Sequence, residues 1–135
     1  MYGVIPSIRV ADLDEAVAFY RDKLGFDVAR EAPGNVALSY GDARVMLEEA
    51  GEFYDPAYNA AIRARLASQS PHSLYIEVKD LDAYHERLRA AGVQIVDPLA
   101  DRPWGQSEFT VADCGGNWLT FWEAPTAGSS SGSAA

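Results

Sequence analysis

The chain has 135 residues, of which 48% are hydrophobic and 23% charged, and its net charge is −9. This composition predicts a globular body of one compact domain or two very small ones. The acidic balance argues against nucleic acid or an anionic membrane surface as a partner, and no apolar run approaches the roughly 20 residues of a membrane helix. The single cysteine, Cys114, excludes an internal disulfide and favours a cytoplasmic location.

A repeated pattern organises the chain. Residues 10–14 (VADLD) recur as residues 78–82 (VKDLD), each copy after a short apolar run and before an amphipathic stretch that ends in glycine. The pattern predicts a strand followed by a helix in each copy, with Asp12 and Asp80 as helix N-caps. A left-handed glycine is expected after each helix, at Gly25 and Gly92.

Three further strands are predicted after each helix, so the fold class is α+β, with two tandem βαβββ modules. The modules are assigned to residues 1–50 and 72–124. Residues 51–71 are predicted to form a linker with a short helix, and residues 125–135 a disordered tail. Each module is expected to form a curved mixed sheet with one bare face, and the two sheets are expected to pair around a single cleft.

The sequence resembles the vicinal oxygen chelate superfamily, which includes glyoxalase I, extradiol dioxygenases and bleomycin-resistance proteins. The resemblance covers about residues 3–124 and is carried by the repeat, by residues 24–26 (LGF) and by the turn at residues 112–117 (ADCGGN). Residues 102–109 (RPWGQSEF) look like the Pro-Trp-Gly run of the bleomycin-resistance branch. That branch binds a flat cationic drug without chemistry, and the resemblance implies a homodimer, in which modules of two chains can be swapped.

Metal-using members of this superfamily carry four ligands, typically two histidines and two glutamates. The resemblance places these positions at Ile5, Leu47, Ser73 and Thr120, with a one-residue uncertainty that could bring in Glu48. Aliphatic side chains cannot bind a divalent metal, and isolated hydroxyls are poor ligands. Neither a metal nor another cofactor is therefore predicted, and His72 and His85 are interpreted as a strand-entry and a solvent-facing residue.

Strand alternation then predicts which side chains face the cleft. Positions of the same parity as the four ligand sites are expected to point inwards, and the loop and strand of the Pro-Trp-Gly run join them through the resemblance. The predicted ligand-binding residues are Ile5, Leu47, Glu49, Ser73, Tyr75, Trp104, Phe109, Trp118, Thr120 and Trp122. Such a set suits a planar aromatic or cationic ligand, because flat rings stack and a cation is attracted to an indole face.

These observations favour a metal-free homodimer that binds and sequesters an antibiotic-type small molecule. No catalytic residue is assigned, because the sequence lacks an evident nucleophile with an activating base. Two alternatives remain open at this point. One is a small enzyme of the same fold, such as an isomerase or lyase with Glu49 as base, and the other is a metal-dependent lyase or dioxygenase with displaced ligands.

Overall fold

The computed structural model describes residues 3–49, 55–67 and 73–125. The chain forms two compact units, one ending at Pro71 and the other beginning at His72. Each unit contains a four-stranded mixed sheet, in the order β1-β4-β3-β2 in the first and β5-β8-β7-β6 in the second. This is the α+β arrangement of two βαβββ modules that the repeat predicts.

The first unit begins with strand β1, Ser7–Val10, and helix α1, Leu13–Ala18, which continues as a π-helical segment, Phe19–Leu24. An antiparallel meander of three strands follows: β2, Asp27–Ala32, β3, Asn35–Tyr40, and β4, Ala43–Glu49. Strand β1 pairs with β4 in parallel. Helix α2 follows at Pro56–Ala67.

The predicted ends of the first helix are confirmed. The Asp12 side chain accepts a hydrogen bond from the Glu15 backbone N–H at 3.0 Å, and Gly25 adopts the left-handed conformation with φ 91°. A carboxylate at this position satisfies a free amide of the first turn, and glycine adopts positive φ without a steric cost.

The second unit repeats this order with β5, Ser73–Glu77, and α3, Leu81–Ala90. The remaining strands are β6, Gln94–Asp101, β7, Ser107–Ala112, and β8, Trp118–Glu123. Between the last two, the buried Asp113 accepts hydrogen bonds from the backbone N–H groups of Gly115 and Asn117 at 2.9 and 2.8 Å. This side chain fixes the turn that aligns β8 with β7.

The helix cap of the second unit differs from the prediction. Asp80 has a left-handed backbone, φ 57°, and makes no side-chain capping hydrogen bond within the part of the chain that the structure describes. The carboxylate of Glu123 instead accepts from the backbone N–H groups of Asp80 and Leu81, both at 2.9 Å. The cap is therefore supplied by the last residue of β8 rather than by the repeated aspartate.

Both sheets bury one face in a hydrophobic core on the side of α1 or α3. In the first unit α1 contacts β4, and the fully buried residues include Leu24, Val45 and Leu47. In the second, the rings of Phe109 and Phe121 lie against Tyr84 of α3, with centroids 6.5 and 5.0 Å away. The opposite face of each sheet is called its distal face below.

The predicted tail at 125–135 lies outside the described residues from 126 onwards, and so does His72. His85 is not solvent-facing as expected, because its side chain is only 18% exposed and its ring packs edge-on against Phe109 at 4.9 Å. No helix among the described residues is long and apolar enough to cross a membrane.

Candidate functional site

The distal face of the second sheet carries three rows of side chains across β5, β8 and β7. Strand pairing places Tyr75 beside Thr120, and Thr120 beside Thr110. The flanking rows are Ser73, Trp118 and Ala112 at one end and Glu77, Trp122 and Glu108 at the other. Successive side chains of a strand point to opposite faces, so these residues share the face turned away from α3.

Large aromatic rings on this face are open to solvent. Tyr75 is 59% exposed and Trp118 is 48% exposed, whereas Trp122 is half-buried. A soluble protein gains little by leaving such rings in water, and clustered exposed apolar area is typical of a surface that binds something. Five of the predicted residues thus share one face, as strand alternation predicts: Ser73, Tyr75, Trp118, Thr120 and Trp122.

The loop before β7 adds a third exposed indole. Trp104 is 63% exposed, and its Nε1–H donates to Oε1 of Glu108 at 3.1 Å. The side chain of Gln106 donates to the same oxygen at 3.2 Å. Glu108 itself is only 4% exposed and forms no ion pair with a described residue. The arginine of the loop before β7, Arg102, pairs with Asp97 instead, at 2.9 Å. Within the described part of the chain, the carboxylate of Glu108 therefore has no counterion and lies beside indole rings.

Three hydroxyl groups occupy the middle of this face. Thr120 Oγ1 lies 2.7 Å from Ser73 Oγ and 2.8 Å from Thr110 Oγ1, which makes a hydrogen-bonded chain. Thr120 and Thr110 are buried, and Ser73 is the partly exposed end of the chain. Each hydroxyl is both donor and acceptor, so the chain satisfies its buried members and leaves Ser73 as the member that reaches outwards.

The distal face of the first sheet is polar and charged. Glu48 accepts a hydrogen bond from the Ser7 hydroxyl, and it also accepts from Asn35 Nδ2 at 3.1 Å. Arg9 Nη2 lies 3.4 Å from Glu48 Oε1 and donates to the hydroxyl of Tyr58. These contacts make Glu48 the centre of a network that joins β1, β3 and β4, and Arg9 links this network to α2.

Two predicted positions on β4 are wrong by one residue. Leu47 is fully buried and pairs with Ile8 and Val36, so it belongs to the core rather than to the distal face. Glu48 takes the distal position, and Glu49 as the next residue along the strand points to the other side. Ile5 is 53% exposed and precedes β1, so it belongs to no strand.

Phe109 is also misplaced by the sequence interpretation. Its side chain is fully buried, and its ring packs between Phe121 and the α3 residues Tyr84 and His85. The resemblance carried this residue into the ligand set together with the Pro-Trp-Gly run, but strand alternation assigns the distal face to its neighbour Glu108. A sequence signal for Glu108 exists in the same alternation: Glu108 lies two residues before Thr110, which pairs with the distal residue Thr120.

The residues at the expected metal positions do not fit a divalent metal. In the second unit these positions hold hydroxyls that are hydrogen-bonded to one another. In the first unit the carboxylate of Glu48 is committed to Arg9, Ser7 and Asn35. Divalent metals are held by converging carboxylates, imidazoles or thiolates. Across residues 3–49, 55–67 and 73–125, no three such side chains form a group that could hold a metal ion.

Two βαβββ modules whose sheets each bury one face under a helix define a glyoxalase-type fold. The chain belongs to the Glyoxalase/Bleomycin resistance protein/Dioxygenase superfamily, whose sequence profile matches residues 4–121.

Individual relatives agree with this assignment. The bleomycin resistance protein of Geobacillus stearothermophilus is 26% identical over 130 residues, which cover 91% of this chain and 97% of the relative. The crystal structure of UcmS2 is 30% identical and covers 87% of this chain and 94% of its own, with a TM-score of 0.69. TioX from Micromonospora sp. ML1 is 26% identical, covers 88% of this chain and 95% of its own, and has a TM-score of 0.71.

Proposed function

We propose that this protein binds and sequesters a planar, cationic small molecule in the cytoplasm, without a metal and without turnover. The observation that carries the proposal is the distal face of the second sheet, which carries exposed indole and phenol rings together with the buried carboxylate of Glu108, itself hydrogen-bonded to Trp104. A similar bleomycin resistance protein supports an antibiotic as the class of ligand.

The chemistry of this face favours a flat cation over a flat anion. Trp104, Trp118 and Tyr75 present ring faces on which a planar molecule stacks, and a cation over an indole gains about 0.5–2 kcal/mol. Glu108 adds a negative charge in a poorly solvated position, where an ion pair is screened less than at the surface. An anionic ligand would meet this charge without compensation.

The proposal is tested by isothermal titration calorimetry with three compounds. Bleomycin represents the antibiotic class, 9-aminoacridine is a planar cation, and acridine-9-carboxylate is a planar anion of similar shape. We expect bleomycin and 9-aminoacridine to bind and acridine-9-carboxylate to bind at least about tenfold more weakly, since a lost ion pair beside an indole costs about 1.4 kcal/mol or more. Equal affinity for the two acridines would contradict the proposed charge preference, and no binding by any compound would overturn the function.

Sequestration without turnover also requires that the bound ligand stays chemically unchanged. After prolonged incubation, chromatography is expected to recover all of the bleomycin intact. Conversion of bleomycin by the wild-type protein, but not by Trp118→Ala, would instead assign an enzyme to this face.

We also propose that the protein is a homodimer. Val4 and Ile5 are 86% and 53% exposed in the single chain, in addition to the aromatic rings of the second sheet. Exposed apolar groups of this kind are typical of a surface that a second chain covers. Light scattering coupled to size exclusion is expected to give the mass of two chains, and a monomer at all concentrations tested would contradict the dimer.

A further inference from the structure

The guanidinium of Arg9 has one nitrogen that no described residue satisfies. Nη2 is engaged by the Tyr58 hydroxyl and lies near Glu48, and the guanidinium carbon lies 5.4 Å from the centre of the Tyr58 ring. Nη1 is buried and has no hydrogen-bond partner among the described residues. An unsatisfied buried donor costs about 1–3 kcal/mol, so its presence calls for a missing acceptor.

The described acceptors near Arg9 accept hydrogen bonds from other residues. Glu48 receives hydrogen bonds from Ser7 on Oε1 and from Asn35 on Oε2, and the Asn35 amide oxygen receives one from Arg30 at 2.7 Å. None of these oxygens accepts a hydrogen bond from Nη1. Nη1 is therefore left without an acceptor among the described residues.

The network is also short of negative charge. Arg9 and Arg30 contribute two guanidinium groups, and Glu48 contributes one carboxylate. Within the described residues Arg30 has only neutral partners, Asn35 Oδ1 and Met46 Sδ. The three charged side chains therefore carry a local excess of one positive charge in a chain whose net charge is −9.

We propose that Arg9 anchors a binding site for a monovalent carboxylate on the distal face of the first sheet. A carboxylate supplies the missing acceptor and the missing negative charge together, and its two oxygens match the fork of a guanidinium. A phosphate dianion is disfavoured, because Glu48 lies beside the same guanidinium and would repel the second charge.

Tyr58 controls access to this site. Its ring and hydroxyl both contact the guanidinium, and its side chain is half-buried. Because Nη1 is buried while this contact exists, the carboxylate enters when Tyr58 turns away from Arg9. The apparent affinity is thus the intrinsic affinity multiplied by the fraction of molecules in which Tyr58 has turned away. This site uses residues of the first unit and the aromatic face uses residues of the second, so the two proposals can be tested and can fail independently.

The site is tested by nuclear magnetic resonance of the arginine side chains in the full chain. The Nε–H signal of Arg9 is followed during titration with sodium benzoate at constant ionic strength, with benzamide as the matched uncharged compound and phosphate as the dianion. We expect a saturable shift with benzoate and none with benzamide. Tyr58→Ala is expected to tighten benzoate binding about fivefold.

Two substitutions make the test specific. Arg9→Lys keeps the charge but loses the fork, and we expect about tenfold weaker benzoate binding measured by calorimetry. Arg44→Lys, on the same face but in no described ion pair, is expected to bind benzoate like the wild type. If benzoate and benzamide act alike, if phosphate binds more tightly than benzoate, or if Arg9→Lys has no effect, the carboxylate site is excluded and Nη1 is satisfied by water only.

Discussion

The indole nitrogen of Trp104 donates a hydrogen bond to the carboxylate of Glu108 at 3.1 Å. This bond ties an exposed ring on a loop to a carboxylate that is 4% exposed on a central strand. The ring therefore has a fixed orientation, and less conformational entropy is lost when a ligand stacks on it. The same bond uses only one carboxylate oxygen, Oε1, which Gln106 shares.

Removing the charge of Glu108 should weaken the binding of a planar cation while leaving the loop in place. In Glu108→Gln the amide oxygen can still accept from Trp104, so the geometry is kept and only the charge is lost. We expect the calorimetric affinity for 9-aminoacridine to fall about tenfold, which corresponds to about 1.4 kcal/mol.

Glu77 provides the matched control for this experiment. It lies on the other side of Trp122 on the same face, but its side chain is exposed. Solvent screens an exposed charge, so Glu77→Gln should change the affinity less than about threefold. Equal effects of the two substitutions would show that the acidic face as a whole attracts the cation, without a special role for Glu108.

Trp118 and Phe121 lie three residues apart on β8 and should respond in opposite ways to truncation. Trp118→Ala removes an exposed ring of the distal face, so we expect unfolding free energy to change by no more than about 0.5 kcal/mol and 9-aminoacridine affinity to fall about tenfold. Phe121→Ala opens a cavity in the core and should cost about 3–5 kcal/mol. Urea denaturation and calorimetry measure both quantities, and a large loss of stability in Trp118→Ala would place this ring in the core.

Much of the fold follows from the sequence because the repeat has strong local signals. Asp12 caps α1, Gly25 takes positive φ, and the alternation through β5 and β8 correctly gives the residues that share a face. These are properties of neighbouring residues along the chain. The repeat also led to the expectation that Asp80 caps α3 as Asp12 caps α1. The cap comes instead from a tertiary contact, the carboxylate of Glu123.

The errors in the candidate site have one physical origin. A strand alternates with a period of two, so an error of one residue moves a side chain through the sheet. The resemblance placed a ligand position at Leu47 with a one-residue uncertainty, and the structure puts Glu48 rather than Leu47 on the distal face. Phe109 was misplaced because it was assigned together with the whole Pro-Trp-Gly run, which covers a loop and the start of β7. Only alternate residues of β7 lie on the distal face, and Phe109 is not one of them.

The exposed pair of Glu86 and Arg89 on α3 offers a test of the local electrostatics. The hydrogen bond and charge of Arg89 lower the pKa of Glu86, and the distance between the two groups is 2.9 Å. Because the pKa is lower in the folded than in the unfolded chain, the pair favours folding at neutral pH. This contribution is lost as the pH falls through the folded-state pKa of Glu86.

Arg89→Gln should therefore raise the pKa of Glu86 towards its ordinary value, as followed by the carboxyl carbon shift in an acid titration. Both side chains are exposed, so we expect little change in stability at physiological salt. Arg87→Gln on the same helix serves as the control, since Glu86 receives its hydrogen bonds from Arg89. A pKa of Glu86 that is the same in Arg89→Gln as in the wild type would exclude this pair as the cause.

The cap of α3 gives the sharpest test of where tertiary structure replaces the repeat. Glu123 accepts two backbone N–H bonds, so Glu123→Ala leaves both amides without this acceptor and should lower the unfolding free energy by about 1–2 kcal/mol. Glu123→Gln keeps one acceptor oxygen and should lose roughly half as much. Asp80→Gly should cost nothing or stabilise by up to about 1 kcal/mol, because Asp80 holds a left-handed backbone that glycine adopts freely. If Asp80 were instead the cap, as the repeat suggests, urea denaturation would show a loss of stability for Asp80→Gly and almost none for Glu123→Ala.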